Sequence, residues 1–222
     1  MGKLIVFEGT DGSGKSTQFA MLTKRLKQEY VDFRKLQFPQ YLEPSSALIR
    51  MYLNGEFGDK PTDVNPYAAS TFYAVDRYAS YQKVWRSYYQ QGGVMLSDRY
   101  TTSNAVHQGG KVTGAEREAF FQWLYDFEYT RMGLPQPDLV ICLDMPTETA
   151  MELMRRREKD TGTHADIHER DVQYLRHCRE TALEAAAYYG WTVVPCVENG
   201  TLRTVEQIHE QIYSYVKQCL EE

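Results

Sequence analysis

Gly9-Thr10-Asp11-Gly12-Ser13-Gly14-Lys15-Ser16-Thr17 fits the pattern G-x-x-x-x-G-K-[ST], a glycine loop whose backbone N–H groups cradle phosphate oxygens. Its surroundings fit as well. Leu4-Ile5-Val6-Phe7 is an apolar run that reads as a buried strand entering the loop. Ser16 to Glu29 carries Phe19, Leu22 and Leu26 on one face of an expected helix leaving it. The glycines let backbone amides turn inward without side-chain clash, and the helix N-terminus adds partial positive charge. Gly9 through Thr17 is therefore the expected cradle of a nucleoside triphosphate. Lys15 reaches its β/γ-phosphates and the Ser16 hydroxyl is placed to ligate Mg²⁺.

The chain has 222 residues, 42% of them hydrophobic and 25% charged, enough for one large domain with a full core. Its net charge of −5 argues against coating nucleic acid. The four cysteines, Cys142, Cys178, Cys196 and Cys219, form no C-x-x-C pair. That spacing suits reduced cytoplasmic thiols rather than a disulfide frame or zinc site. Acidic residues interrupt every apolar run before it reaches membrane-spanning length, so no membrane role is expected. The N-terminus enters strand pattern at once, without the look of a signal peptide.

Further strand-like runs fall at Arg34–Phe38, Val94–Ser97, Leu139–Leu143 and Thr192–Cys196, with helical patterns between them. The alternation predicts an α/β fold, a five-stranded mostly parallel sheet with helices on both faces. Residues 1–222 are expected to form a single domain. Asn65-Pro66 predicts an N-cap and first helical position, opening a long helix towards Gln91 that Gly92-Gly93 closes. Residues 157–168, with Gly162 and few apolar side chains, read as a small mobile lid.

In open sheets of this kind ligands bind beyond the carboxyl ends of the strands. Asp98 ends an apolar strand there, where such proteins hold Mg²⁺, and Arg99 follows it; a surface Asp–Arg pair fits the same spacing. Asp144 ends its strand in the same style and equally fits a turn cap. Tyr73 and Arg77, four apart, share a helix face that suits a planar heterocycle, or a half-buried tyrosine beside a solvated arginine. Arg155, Arg156 and Arg157 beside the lid fit either charge neutralisation of a moving phosphoryl group or a favourable helix C-terminus. Asp166, His168 and Glu169 fit a helix start as well as a ligand contact.

Taken together the residues resemble the thymidylate kinase (dTMP kinase) family of P-loop nucleoside monophosphate kinases. The likeness runs through 7–17, Phe38-Pro39-Gln40-Tyr41, Phe72-Tyr73-Ala74-Val75-Asp76-Arg77, Ser97-Asp98-Arg99-Tyr100 with Ser103-Asn104, and Gly133-Leu134-Pro135-Gln136-Pro137-Asp138. It implies a P-loop NTPase fold and phosphorylation of dTMP by Mg·ATP, in dTTP synthesis. It also implies roles. Arg99 and Tyr41 would hold the acceptor phosphate; Tyr73 would stack on thymine, Arg77 would bond its edge and Asn104 would read its N3 side. Asp11 would bond the sugar 3′-OH. Asp98 and Glu169 would serve Mg²⁺ with Ser16. Phe38, His107, Gln108, Asp166 and His168 would line the acceptor. His107 stands where many members have tyrosine. Gly12 stands where some carry a catalytic arginine, which points to Arg155–Arg157 for that charge. A cytoplasmic homodimer packed through the helix at 66–91 is also implied. The rival readings are another nucleotide or nucleoside acceptor, a regulatory P-loop NTPase, and a non-catalytic nucleotide-binding module. For adenine, the loop Val197 to Thr201 is the expected contact by position alone.

Overall fold

The computed structural model describes residues 1–161 and 172–221. In chain order the elements are β1 (Lys3–Gly9), α1 (Lys15–Gln28), β2 (Phe33–Gln37), α2 (Ala47–Leu53), α3 (Pro66–Ser80), α4 (Arg86–Gln90), β3 (Val94–Asp98), α5 (Thr101–His107), α6 (Gly114–Tyr125), β4 (Leu139–Asp144), α7 (Thr147–Thr161), α8 (Val172–Tyr189), β5 (Thr192–Pro195), β6 (Val197–Glu198), β7 (Thr201–Leu202) and α9 (Val205–Glu221). The five strands expected from the apolar runs form one parallel sheet in the order β2-β3-β1-β4-β5, with helices on both sides. A separate antiparallel pair, β6–β7, follows it. The chain divides into two compact units: residues 1–6 with 33–138, and 7–32 with 139–222.

In the first unit, Asn65 Oδ1 accepts from Ala68 N at 2.8 Å, the expected N-cap ahead of Pro66. The long helix is not uniform. It widens into a π-helical turn at Tyr81–Trp85 before α4. Trp85 is fully buried there, meeting Tyr81 and Tyr89 edge-to-face at 4.6 and 5.8 Å. A second π-helical turn, Asp126–Arg131, continues α6 and carries the wholly buried Glu128. Such turns arise where one extra residue is needed to aim a side chain inward.

In the second unit, α1 buries Leu22 and Leu26, while Phe19 meets Phe7 edge-to-face at 5.4 Å. α9 buries Ile208, Ile212, Val216 and Cys219, the spacing of one helix face. Each buried Ile or Val there contributes roughly 1.5–3 kcal/mol. α8 and α9 pack on β4 and β5. The four cysteines are buried thiols outside any disulfide. α7 runs on through Thr161, into the first residues of the lid expected at 157–168; the rest of that segment lies outside the described residues, as do Asp166, His168 and Glu169.

Candidate functional site

In the second unit β1 delivers the chain into a turn closed by Ser13 N bonding to Thr10 O at 3.1 Å. Gly12 and Gly14 take φ of +76° and +83°, a region that a side chain resists. Gly14 caps α1, whose first turn carries no acidic residue to offset its positive end. Ser13 Oγ is buried and, among the described residues, has no hydrogen-bond partner. A buried hydroxyl left without a partner in a glycine loop at a helix start fits a phosphate oxygen. Lys15 is 9% exposed; the Ser16 and Thr17 side chains are exposed. Together Thr10 through Gln18 form one wall of a cleft of about 360 Å³, a size typical of small-molecule sites.

The rest of the cleft's lining is apolar, with Met145, Leu153, Met154, Leu202, Val205 and Ile208, apart from Arg203. The residues expected at adenine, Val197 to Thr201, build most of the β6–β7 hairpin, and the cleft is lined by Leu202 at the end of β7 with Arg203 and Val205 beyond it. The signal was in the sequence. Asn199 and Gly200 take φ of +50° and +75°, the pattern of a two-residue hairpin turn. Arg203 fixes the hairpin's exit: its Nη1 donates to Pro195 O at 2.7 Å and Gln211 Oε1 at 2.6 Å.

Arg155 and Arg156 are exposed on α7, directly after Met154 of the cleft; the Arg157 side chain lies outside the described ones. α7 itself presses on the loop. A Cβ at Gly12 would stand 2.9 Å from Ala150 O and 3.0 Å from Met154 Cγ. Asp144 has its own partner in this unit, Arg179 of α8, whose Nε and Nη2 donate to its two carboxylate oxygens at 2.6 and 3.1 Å. It is neither a simple turn cap nor a spare acid.

The first unit gathers most of the remaining residues. Arg99 follows β3 at φ +67°. Ser97 Oγ donates to its carbonyl at 2.6 Å, and its Nη1 reaches Ser103 Oγ at 3.4 Å and His107 Nε2 at 3.2 Å. Tyr41 lies within electrostatic reach of Arg99 and Asp76; burial pushes its hydroxyl pKa up and Arg99 opposes that rise. Tyr73 is half-buried, and desolvation lifts its pKa well above the tyrosine range, with Tyr52, Tyr41, Arg77 and Arg99 all close enough to act on it. Asp76, which sequence reasoning passed over, sets the Tyr41 turn: it accepts from Gln40 N at 2.8 Å and Ser45 Oγ at 2.6 Å. Gln108 is buried with Oε1 lacking a partner among the described residues, and it hydrogen-bonds Tyr52. Phe38, joined to Pro39 by a cis peptide bond, is 4% exposed and packs on Tyr100 at 5.9 Å.

Arg77 corrects the picture of a solvated helix-face arginine. It is 2% exposed and donates through Nε and Nη2 to Glu128 at 2.7 and 2.5 Å. A desolvated guanidinium persists only with such a partner; the anion beside it outweighs desolvation and raises its pKa. Its Nη1 donates to Tyr100 O at 3.3 Å. The clue to Glu128 was an acid set between Phe127 and Tyr129 in an aromatic helix. Asp98 closes β3 and Ser16 is the second residue of α1. The expected Mg²⁺ donors are all oxygen atoms, which suits a hard cation that leans on substrate phosphates. Among the described residues no three His, Cys, Asp or Glu side chains gather as a metal cage.

A glycine loop with an orphaned hydroxyl at a helix start, and a second cluster of aromatic rings around a phosphate-type arginine, define a P-loop protein of the nucleotide kinase class. The family model described as thymidylate kinase matches residues 7–212, and the chain belongs to that family. It is 33% identical over 193 residues to the thymidylate kinase of Mycobacterium tuberculosis (strain CDC 1551 / Oshkosh), covering 85% of this chain and 87% of that one. It is 30% identical over 190 residues to the probable thymidylate kinase of Pyrobaculum aerophilum, covering 86% of each. In fold it is similar to the solved thymidylate kinase of Candida albicans, with a TM-score of 0.70 and 23% identity over 98% of this chain and 92% of that one.

Proposed function

We propose that this chain transfers the γ-phosphoryl group of ATP to dTMP, giving dTDP and ADP for dTTP synthesis. The observation that carries the reading is the cluster of Tyr41, Tyr73, Arg99 and Asn104 within one unit of a chain that also has the phosphate loop. A regulatory NTPase or a mere binding module has no need of that second cluster. The acceptor phosphate oxygen is already anionic, so no strong base is required. It forms the new bond to Pγ as the bridge from Pγ to the β-phosphate breaks, and the leaving charge stays on ADP.

Catalysis is then positioning and charge neutralisation. Lys15 and the amides of residues 9–17 would hold the donor phosphates, with Arg155, Arg156 or Arg157 adding charge from α7. Arg99 and Tyr41 would hold the acceptor phosphate and Tyr73 would stack on the base. Arg77, Asn104, His107 and Gln108 would complete that cluster, and Asp11 would bond the sugar. Ser16 and Asp98 would hold Mg²⁺, which when bound neutralises phosphate charge. Among the described residues no helix is long and apolar enough to cross a membrane. A cytoplasmic setting rests on the family resemblance, and the exposed Val75 and Tyr78 of α3 support a homodimer through that helix.

The test is ADP release with ATP·Mg²⁺ and dTMP, dUMP, dCMP, dGMP or thymidine in turn. Turnover that depends on dTMP and is nearly abolished by Lys15→Ala is expected. Acceptor-independent hydrolysis would point to a regulatory NTPase, and no turnover to a binding module.

A further inference from the structure

Glu128 has no surface exposed to solvent, yet its two oxygens take four hydrogen bonds. Oε1 accepts from Arg77 Nη2 at 2.5 Å and Asn104 Nδ2 at 3.2 Å. Oε2 accepts from Arg77 Nε at 2.7 Å and Thr101 Oγ1 at 2.7 Å. The consequence falls on Asn104. Its Nδ2 also donates to Ser70 O at 3.2 Å. The two ends of an amide are alike in shape, and its partners decide which is which. A carboxylate and a carbonyl can only accept. Turning this amide over would set Oδ1 against two acceptors, losing both bonds and adding repulsion. Both amide hydrogens are therefore taken, and Oδ1, which accepts from none of the described residues, is the atom left for a ligand.

We propose that Glu128 is a positioning residue for base selection. By locking the Asn104 amide with Oδ1 as its open end, it makes the base site one that accepts a ring N–H. A pyrimidine that carries hydrogen on N3, thymine or uracil, satisfies it. Cytosine, whose N3 only accepts, meets lone pair with lone pair. This rests on the reading of a pyrimidine monophosphate as acceptor. Three other groups close to the carboxylate reinforce the lock. Arg77 balances its charge, Thr101 orients it, and the Tyr129 hydroxyl bonds Thr101.

The test compares wild type, Glu128→Gln, Glu128→Asp, Asn104→Ala and the double variant Glu128→Gln/Asn104→Ala. The measurements are calorimetric affinity for dTMP and dCMP without ATP, and kcat/KM for both. Glutamine introduces an amide hydrogen among the donors, so of the two acceptors that fix the Asn104 amide only Ser70 O remains and the amide turns over more readily. The dTMP-to-dCMP ratio is expected to fall about ten- to hundredfold in Glu128→Gln. It should survive in Glu128→Asp, which still only accepts. In the Asn104→Ala background, already low in selectivity, Glu128→Gln should change the ratio no further. An equal loss for both nucleotides in Glu128→Gln would overturn the proposal, as the mark of a purely structural role. So would a wild-type ratio in Asn104→Ala, which decides the matter even if Glu128→Gln fails to fold. A wild-type chain that binds dTMP and dCMP alike would overturn the acceptor reading together with this one. A normal wild-type preference that Glu128→Gln leaves intact overturns this one alone.

Discussion

Nη1 of Arg99 stands 3.2 Å from Nε2 of His107. A guanidinium has no lone pair to give, so the imidazole nitrogen accepts and His107 keeps its hydrogen on Nδ1. Arg99 also sits at φ +67°, costing of order 1 kcal/mol for a non-glycine residue. The Ser97 hydroxyl at its carbonyl helps hold it there.

His107→Ala is therefore expected to loosen Arg99 without touching the phosphate loop. KM for dTMP should rise roughly two- to tenfold, the worth of one hydrogen bond, while KM for ATP stays the same. Steady-state kinetics with each substrate varied in turn checks this; a change confined to ATP would refute it.

Gly12→Arg should not add a useful cation to the loop. The position is left-handed, and its Cβ would meet the backbone oxygen of Ala150 at 2.9 Å. A loss of about 1–3 kcal/mol in stability and a raised KM for ATP are expected, read by urea unfolding and kinetics. Gly12→Ala should incur most of the same stability loss, because the first added carbon already clashes.

Arg203→Ala removes the bonds to Pro195 O and Gln211 Oε1 that hold the cleft's wall after the β6–β7 hairpin. KM for ATP should rise about three- to tenfold, with KM for dTMP unaffected. Equal effects on both substrates would show a general loss of folding instead.

Lys111 gives a pH signature. It is half-buried, donating to Val64 O at 2.9 Å and Tyr52 Oη at 3.0 Å, and desolvation pushes its pKa down to about 8 from 10.5. Between those values the unfolded chain holds the proton and the folded chain does not. Stability therefore rises with pH across that window, and the burial penalty is fully present below about pH 8. Relative to Lys111→Met, wild-type stability should climb by about 1–2 kcal/mol from pH 7.5 to 10 once solvent screening is allowed for. A difference flat in pH would contradict this.

The order of strands and helices was legible because apolar runs and the glycine loop are local signals. All five sheet strands fall where Leu4–Phe7, Arg34–Phe38, Val94–Ser97, Leu139–Leu143 and Thr192–Cys196 put them. The Asn65 cap was equally plain. What spacing could not reveal were partnerships far apart in sequence. Arg77 looks solvated in its own helix and is buried only because Glu128, 51 residues on, meets it. Asp144 reads as a turn cap until Arg179 of α8 reaches it. The π-helical turns at Tyr81–Trp85 and Asp126–Arg131 answer to packing, not to local propensity. The hairpin after β5 was readable from Asn199-Gly200 but too short to register as strands.

The contact of α7 with Gly12 has a consequence for how such a chain changes over generations. Part of what fills the space is backbone, the carbonyl of Ala150, and no side-chain exchange at 150 or 154 clears it. An arginine in the loop is thus closed to single-step substitution. In a mutagenesis library it should be recovered only alongside changes that shift α7 itself, so the order of mutations, and not only their identity, decides which variants survive.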